Sequence, residues 1–306
     1  MSGAAPDAGV IILGHPRSGT TLLRRLLDAH PALAAPPETH LFSAAARFIK
    51  ADMTAHGVDM GVLAGLAFAG FDDDVVLERL RGLAFSFLDE YARSQGKRRW
   101  VEKTAFDIHH VDAIQRICGT SVCYVGLIRH PLDVAVSCKE FCDAVGAYPE
   151  GLHHYIQKFP QPIEAFVHSW IDTTNALMQL GEKYPENCVI CRYEDLVADV
   201  EGMLGDIIAF IGEEPDGSFG QLGGSEVLGF SDHKAYEADR VVEDRVSKWQ
   251  GLPTAQVARL APQLNPLLEA CGYEPLDAGS GVDATAARRS YLLGQAAGLS
   301  RGRNGN

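Results

Sequence analysis

Apolar residues along the chain follow two rhythms. Short runs rich in branched or aromatic residues, VIIL at 10–13, WV at 100–101, VCYVGLI at 122–128 and CVIC at 188–191, are separated by long segments in which apolar positions recur every three or four residues. Short strands alternating with helical segments predict an α/β fold: a central parallel sheet flanked by helices. After the first run, Leu22, Leu23, Leu26 and Leu27 share one helical face and Arg24, Arg25 and Asp28 another, with His30-Pro31 as the stop. Helices are expected through 44–93, where Asp72, Asp73 and Asp74 offer a cap and an acidic first turn. Further helices are expected at 161–183, 196–211 and 254–270.

With 306 residues, 46% of them hydrophobic, the chain is long enough for a large core. One domain is expected over 1–276. Residues 277–306 turn to Gly, Ala, Ser and Arg and read as a mobile tail. The start lacks the basic and apolar regions of an export signal, and no apolar run reaches the length of a membrane span. A cytoplasmic protein with reduced thiols is therefore expected, and the seven cysteines are an odd set. Cys188 and Cys191 form a CxxC inside a strand, without the partners of a zinc site, and read as packing residues. A net charge of −13 excludes an ordinary nucleic-acid binder and disfavours strongly anionic acceptors.

Chemistry concentrates where VIILG meets HPRSGTT. A strand, a glycine-containing turn and a helix in that order aim backbone N–H groups and a helix N-terminus at one point, which suits an anion. The spacing from Gly14 to Gly19 is that of a nucleoside-triphosphate loop, but Thr20 stands where such loops carry lysine. The chain also shows no carboxylate placed for magnesium, so a kinase or ATPase is disfavoured. Arg17 and two hydroxyls suit a smaller anion carrying a phosphate and a sulfate.

The segment HPRSGTTLLRRLLDAHP resembles the 5'-phosphosulfate loop of sulfotransferases that use 3'-phosphoadenosine 5'-phosphosulfate (PAPS), in pattern the tyrosylprotein and related bacterial branch. The resemblance implies a P-loop-like, three-layer α/β fold, PAPS as donor and no metal. It places Arg17, Ser18, Gly19, Thr20 and Thr21 around the 5'-phosphosulfate. VCYVGLIRHPLDVAVSC resembles the family's 3'-phosphate site, implying roles for Arg129, with its planar fork, and Ser137. Related tyrosylprotein enzymes have a further arginine where this chain has Phe141, and Lys139 is the candidate substitute.

Sulfuryl transfer to an alcohol needs a base for the hydroxyl proton and cations around the transferring group. By resemblance, Glu38 in AAPPETHLF is the base; otherwise it is a helix-start carboxylate. The histidine that cytosolic sulfotransferases use falls at Ala105, while His15, His109 and His110 are weaker rivals. Lys103 resembles the lysine aimed at the donor, joining Arg17 as a catalytic cation. Tyr193 in CRYEDLV resembles a residue beside the nucleotide, with Glu194 and Asp195 capping the next helix. RVSKWQGLP resembles the tyrosylprotein enzymes' late loop, implying Lys248 at a donor phosphate, Trp249 as an anchor and Ser247 as a weaker candidate. The expected partner is a hydroxyl-bearing acceptor: a small molecule, lipid or glycan, or alternatively a tyrosine side chain. A nucleotide-binding module without transferase activity and an atypical kinase are the rival classes.

Overall fold

A computed structural model of the chain describes residues 8–53, 59–217, 221–223 and 246–279. Most of the expected tail, 280–306, lies outside the described residues. In chain order the elements are β1 (Gly9–Leu13), α1 (Thr20–Asp28), β2 (Leu33–Ala34), α2 (Leu41–Ile49), β3 (Asp52–Met53), β4 (Asp59–Met60), α3 (Val62–Phe68), α4 (Asp73–Ser94) and β5 (Arg99–Glu102). A 3₁₀ turn (Asp107–His110) then leads to α5 (Val111–Cys118), β6 (Val122–Ile128), α6 (Pro131–Val145), α7 (Glu150–Lys158), α8 (Pro162–Lys183), β7 (Cys188–Arg192), α9 (Tyr193–Ala198) and α10 (Val200–Phe210). A second 3₁₀ turn (Lys248–Gly251) and a last helix (Thr254–Ala270) close the described chain.

The residues cluster into two compact units. One takes its described residues from 8–14, 19–127 and 176–223, the other from 15–18, 128–175 and 246–279. The first carries the five-stranded sheet in the order β2-β5-β1-β6-β7. β1 lies parallel to both β5 and β6, with Leu13 opposite Gly126, and β2 lies parallel to β5. Every residue of β1 and β6 is buried, which is why both read as unbroken apolar runs. The chain leaves β1 toward β2 on one side and leaves β6 toward β7 on the other. Ligands of open α/β sheets bind where the strand order reverses in this way. In the second unit, α6, α7 and α8 bury Leu132, Val134, Tyr155, Phe159, Phe166 and Trp170.

The face of α1 that carries Arg24 and Arg25 is buried, at 4% and 5% exposure. Arg24 Nη1 donates to Ala35 O (2.7 Å) and Pro36 O (3.1 Å), and Arg25 Nε to Gly223 O (3.1 Å). Buried guanidinium groups are tolerated because backbone carbonyls meet them. The single helix expected at 196–211 breaks at Asp199, whose carboxylate accepts the Gly202 N–H (2.9 Å) and so starts α10 as a cap. Within 44–93, helix is interrupted by the antiparallel pair β3 and β4. Asp73 and Asp74 do form the acidic first turn of α4.

Candidate active site

Both glycines of the loop after β1 are required by space. A Cβ on Gly14 would stand 2.5 Å from Leu127 O, and one on Gly19 would run into the Tyr193 ring. Gly19 caps α1 at φ 97, a left-handed conformation that glycine adopts without penalty. Among the described residues no side chain caps α1, which suits its first-turn N–H groups to an anion. Ser18 Oγ is fully buried with no hydrogen-bond partner among the described residues. A buried hydroxyl left unbonded costs about 1–3 kcal/mol, a penalty that a bound anion removes. Thr20 and Thr21 are buried beside it in sequence. The chain therefore fits an anionic group at this loop.

His15 is buried and held through both ring nitrogens. Its Nδ1 is 2.7 Å from Pro16 O and its Nε2 2.9 Å from Ser169 Oγ, and burial lowers its pKa to about 4. The Ser18 N–H closes the turn on His15 O at 3.0 Å.

Arg17 and Arg129 come together in the second unit. Arg17 has φ 74 and donates from Nε to Ser137 Oγ (3.3 Å), while Arg129 Nη1 donates to Arg17 O (3.2 Å). The Trp170 indole N–H holds Arg129 O at 3.0 Å. The Arg17 guanidinium also lies 5.3 Å from the centroid of Phe141. Phe141, where the tyrosylprotein pattern has arginine, thus supplies a π face to a neighbouring cation. Lys139 is exposed and paired with Asp143 at 2.5 Å.

The late loop is fixed by a residue that sequence reasoning missed. Asp133, 2% exposed in the first turn of α6, accepts the N–H groups of Ser247 (2.8 Å) and Trp249 (2.9 Å) on its two oxygens. Trp249 stacks on His130, with centroids 4.9 Å apart and planes at 10°. Between these anchors Lys248 is exposed at the start of the 3₁₀ turn. Among the described residues, the non-glycine residues with positive φ are Arg17, His40 and Ser247. Arg17 is itself a candidate, Ser247 adjoins Lys248 and His40 lies two residues after Glu38, and such conformations persist where surrounding contacts enforce them.

The first unit gathers the acid–base candidates. Lys103, 1% exposed, donates to Thr21 Oγ1 at 3.1 Å and is ion-paired with Glu38, whose side chain is 13% exposed. Burial pushes the Lys103 pKa down, and the Glu38 carboxylate pulls it back. Glu38 precedes α2 in a turn held by Arg24 through Ala35 O and Pro36 O. Glu102 and Asp107 are buried in the same unit, and burial raises their pKa values to about 7 and about 8. Tyr193, 3% exposed, borders the loop through its approach to Gly19. Glu194 and Asp195 form the first turn of α9, with Asp195 gripping Arg192 at 2.6 and 2.7 Å. Cys188 and Cys191 are free and buried, and burial raises both thiols to about 12, as packing residues would be.

A model of the sulfotransferase family matches residues 9–216. The chain belongs to the sulfotransferase family. Nodulation protein NoeE of Sinorhizobium fredii (strain NBRC 101917 / NGR234) is 26% identical over 287 residues, covering 86% of this chain. The match spans 65% of the length of that curated relative. Among solved structures, the sulfotransferase domain from the curacin biosynthetic pathway has a TM-score of 0.59 at 20% identity, covering 88% of this chain and 99% of that one. The sulfotransferase domain from the Synechococcus PCC 7002 olefin synthase has a TM-score of 0.57 at 22% identity, covering 90% and 98%. At these identities the likeness is one of fold.

Proposed function

We propose that the chain transfers the sulfuryl group of PAPS to an acceptor hydroxyl. The observation that carries this reading is one hydrogen-bonded set: buried Lys103 joins Glu38 to Thr21, the second residue of the helix that opens on the anion loop. A carboxylate, a cation and a donor-loop hydroxyl are thereby held together. Glu38 takes the acceptor proton as the acceptor oxygen bonds to sulfur. The bond from sulfur to the 5'-phosphate oxygen breaks, and adenosine 3',5'-bisphosphate (PAP) leaves. Arg17, Lys103 and Lys248 balance charge on the leaving phosphosulfate oxygens. Ser18, Gly19, Thr20 and Thr21 fix the 5' end, Arg129 and Ser137 take the 3'-phosphate, and Tyr193 lies beside the nucleotide. In the free protein Lys103 neutralises Glu38; donor binding gives Lys103 a second anion and releases Glu38 for the proton. No metal enters this scheme.

We assign the transferase domain to residues 1–276 and a cytoplasmic setting to the protein. The acceptor we favour is a hydroxylated small molecule, lipid or glycan. The helices that follow Glu38 leave Phe48, Phe68 and Phe87 exposed, Phe68 to 92%, which suits an acceptor with an apolar part. A tyrosine side chain is the alternative that the late loop RVSKWQGLP favours, and the net charge of −13 weighs against the acidic peptides this would require. PAP at a hundredfold excess over its Kd is expected to stabilise the protein by about 2.7 kcal/mol, read as a rise in melting temperature. Stabilisation by magnesium–ATP and none by PAP would replace this reading with a kinase-like one.

A further inference from the structure

Glu102 ends β5 and is 0% exposed, yet the proposed transfer gives it no task. Its Oε1 accepts two hydroxyl protons, from Thr39 at 3.0 Å and Thr104 at 2.8 Å. Its Oε2 is buried with no hydrogen-bond partner among the described residues. Thr39 directly follows Glu38, and Thr104 directly follows Lys103. Thr104 Oγ1 also accepts the His40 N–H at 3.1 Å, and Thr39 Oγ1 the Leu41 N–H at 3.3 Å. One carboxyl group therefore ties together the residue after the candidate base and the residue after its cation. Arg24 fixes the other side of the same turn.

We propose that Glu102 is a positioning residue for the Glu38–Lys103 pair: through Thr39 and Thr104 it sets where the two groups meet, and gain or loss of its own proton changes the field they feel. The inference rests on Glu38 and Lys103 being the reacting pair. Oε1 takes both donated hydroxyl protons, while Oε2 meets no hydrogen-bond partner among the described residues. In the ionised form that oxygen bears charge that no donor meets, which is costly in a buried place. Burial accordingly raises Glu102 to about 7, while the hydrogen bonds from Thr104 and Thr39 and the charge of Lys103 act in the opposite direction. The charged and titratable groups around it are Lys103 on its own strand's exit, Glu38 before α2, Asp107 on the 3₁₀ turn and, acting on Lys103, Arg24 of α1.

Asp107 is raised to about 8, first by burial and next by the charge of Glu102. The two carboxyls therefore lose protons as a coupled pair. A negative charge arriving on Glu102 near pH 7 holds Lys103 protonated, so turnover gains an ionisation there that Glu38 alone does not provide.

Glu102→Gln keeps an oxygen to accept from both threonines and copies the protonated acid. Its kcat should match wild type on the acid side of pH 7, and its pH profile should lack the ionisation near pH 7. Difference infrared titration reads the same group without turnover. The carboxylic-acid band that wild type loses near pH 7 should be absent from Glu102→Gln. Thr104→Val removes one donor to the charged form, so it should move the wild-type midpoint upward. It also serves if Glu102→Gln does not fold. An unchanged infrared titration in Glu102→Gln, a pH profile identical to wild type, or an unmoved midpoint in Thr104→Val would each overturn the proposal. Full turnover in Glu38→Gln would instead remove the reading on which the proposal rests, while the infrared band would still report whether Glu102 titrates.

Discussion

Glu38→Gln is expected to lower turnover by about 10²- to 10⁴-fold, the usual cost of losing a positioned general base. Glutamine preserves the size of the side chain but cannot take the acceptor proton. The substitution also leaves Lys103, 1% exposed, without its carboxylate partner, so some loss of melting temperature belongs to the same expectation. Stability and chemistry are separated by measuring PAP affinity, melting temperature and turnover on one sample. The account requires folded protein that binds PAP with near-normal affinity and does not turn over. If Glu38 were only a carboxylate near a helix start, its loss would cost about 0.3–1 kcal/mol of stability and little turnover. Near-normal turnover therefore removes Glu38 as the base.

The second large effect concerns Arg129. Charge-assisted hydrogen bonds to a 3'-phosphate contribute about 1.5–3 kcal/mol, so Arg129→Ala should weaken PAP binding about 10- to 150-fold. AMP, which lacks the 3'-phosphate, should bind wild type and variant alike once loop effects are accounted for. Those effects are real, because Arg129 Nη1 also bonds Arg17 O at 3.2 Å. Arg129→Lys separates them: it keeps the charge and loses the planar fork, and should recover only part of the discrimination. Calorimetric titration with PAP and AMP makes the comparison. A variant that prefers PAP over AMP as strongly as wild type would take Arg129 out of the 3'-phosphate site.

The strands were legible because their residues are buried on both faces: VIIL, WV and VCYVGLI are unbroken apolar runs, and each lies within an observed strand. The anion loop was legible because Gly14 and Gly19 stand where no larger residue fits. Periodicity failed where polar groups are met by distant partners. Arg24 and Arg25 look like a solvated helix face, but their acceptors are carbonyls at Ala35, Pro36 and Gly223. Charged residues inside the first turns of a helix that opens on an anion loop were the available signal. Asp133 was hidden for a similar reason, since it clasps Ser247 and Trp249 more than a hundred positions away. Glu102 looked like the polar end of a strand, and only its bonds to Thr39 and Thr104 reveal that it joins two candidate segments. The two-residue strands β3 and β4 are too short to impose a rhythm on the chain.

The most direct test of the central claim is transfer itself. The protein is incubated with PAPS labelled in its sulfuryl group, with EDTA present, against hydroxylated small molecules, lipids, glycans and tyrosine peptides. The account predicts one PAP released for each labelled acceptor, identified by mass, at a rate that magnesium does not change. Absence of any labelled acceptor despite PAP binding, or turnover that EDTA abolishes and magnesium restores, would contradict it.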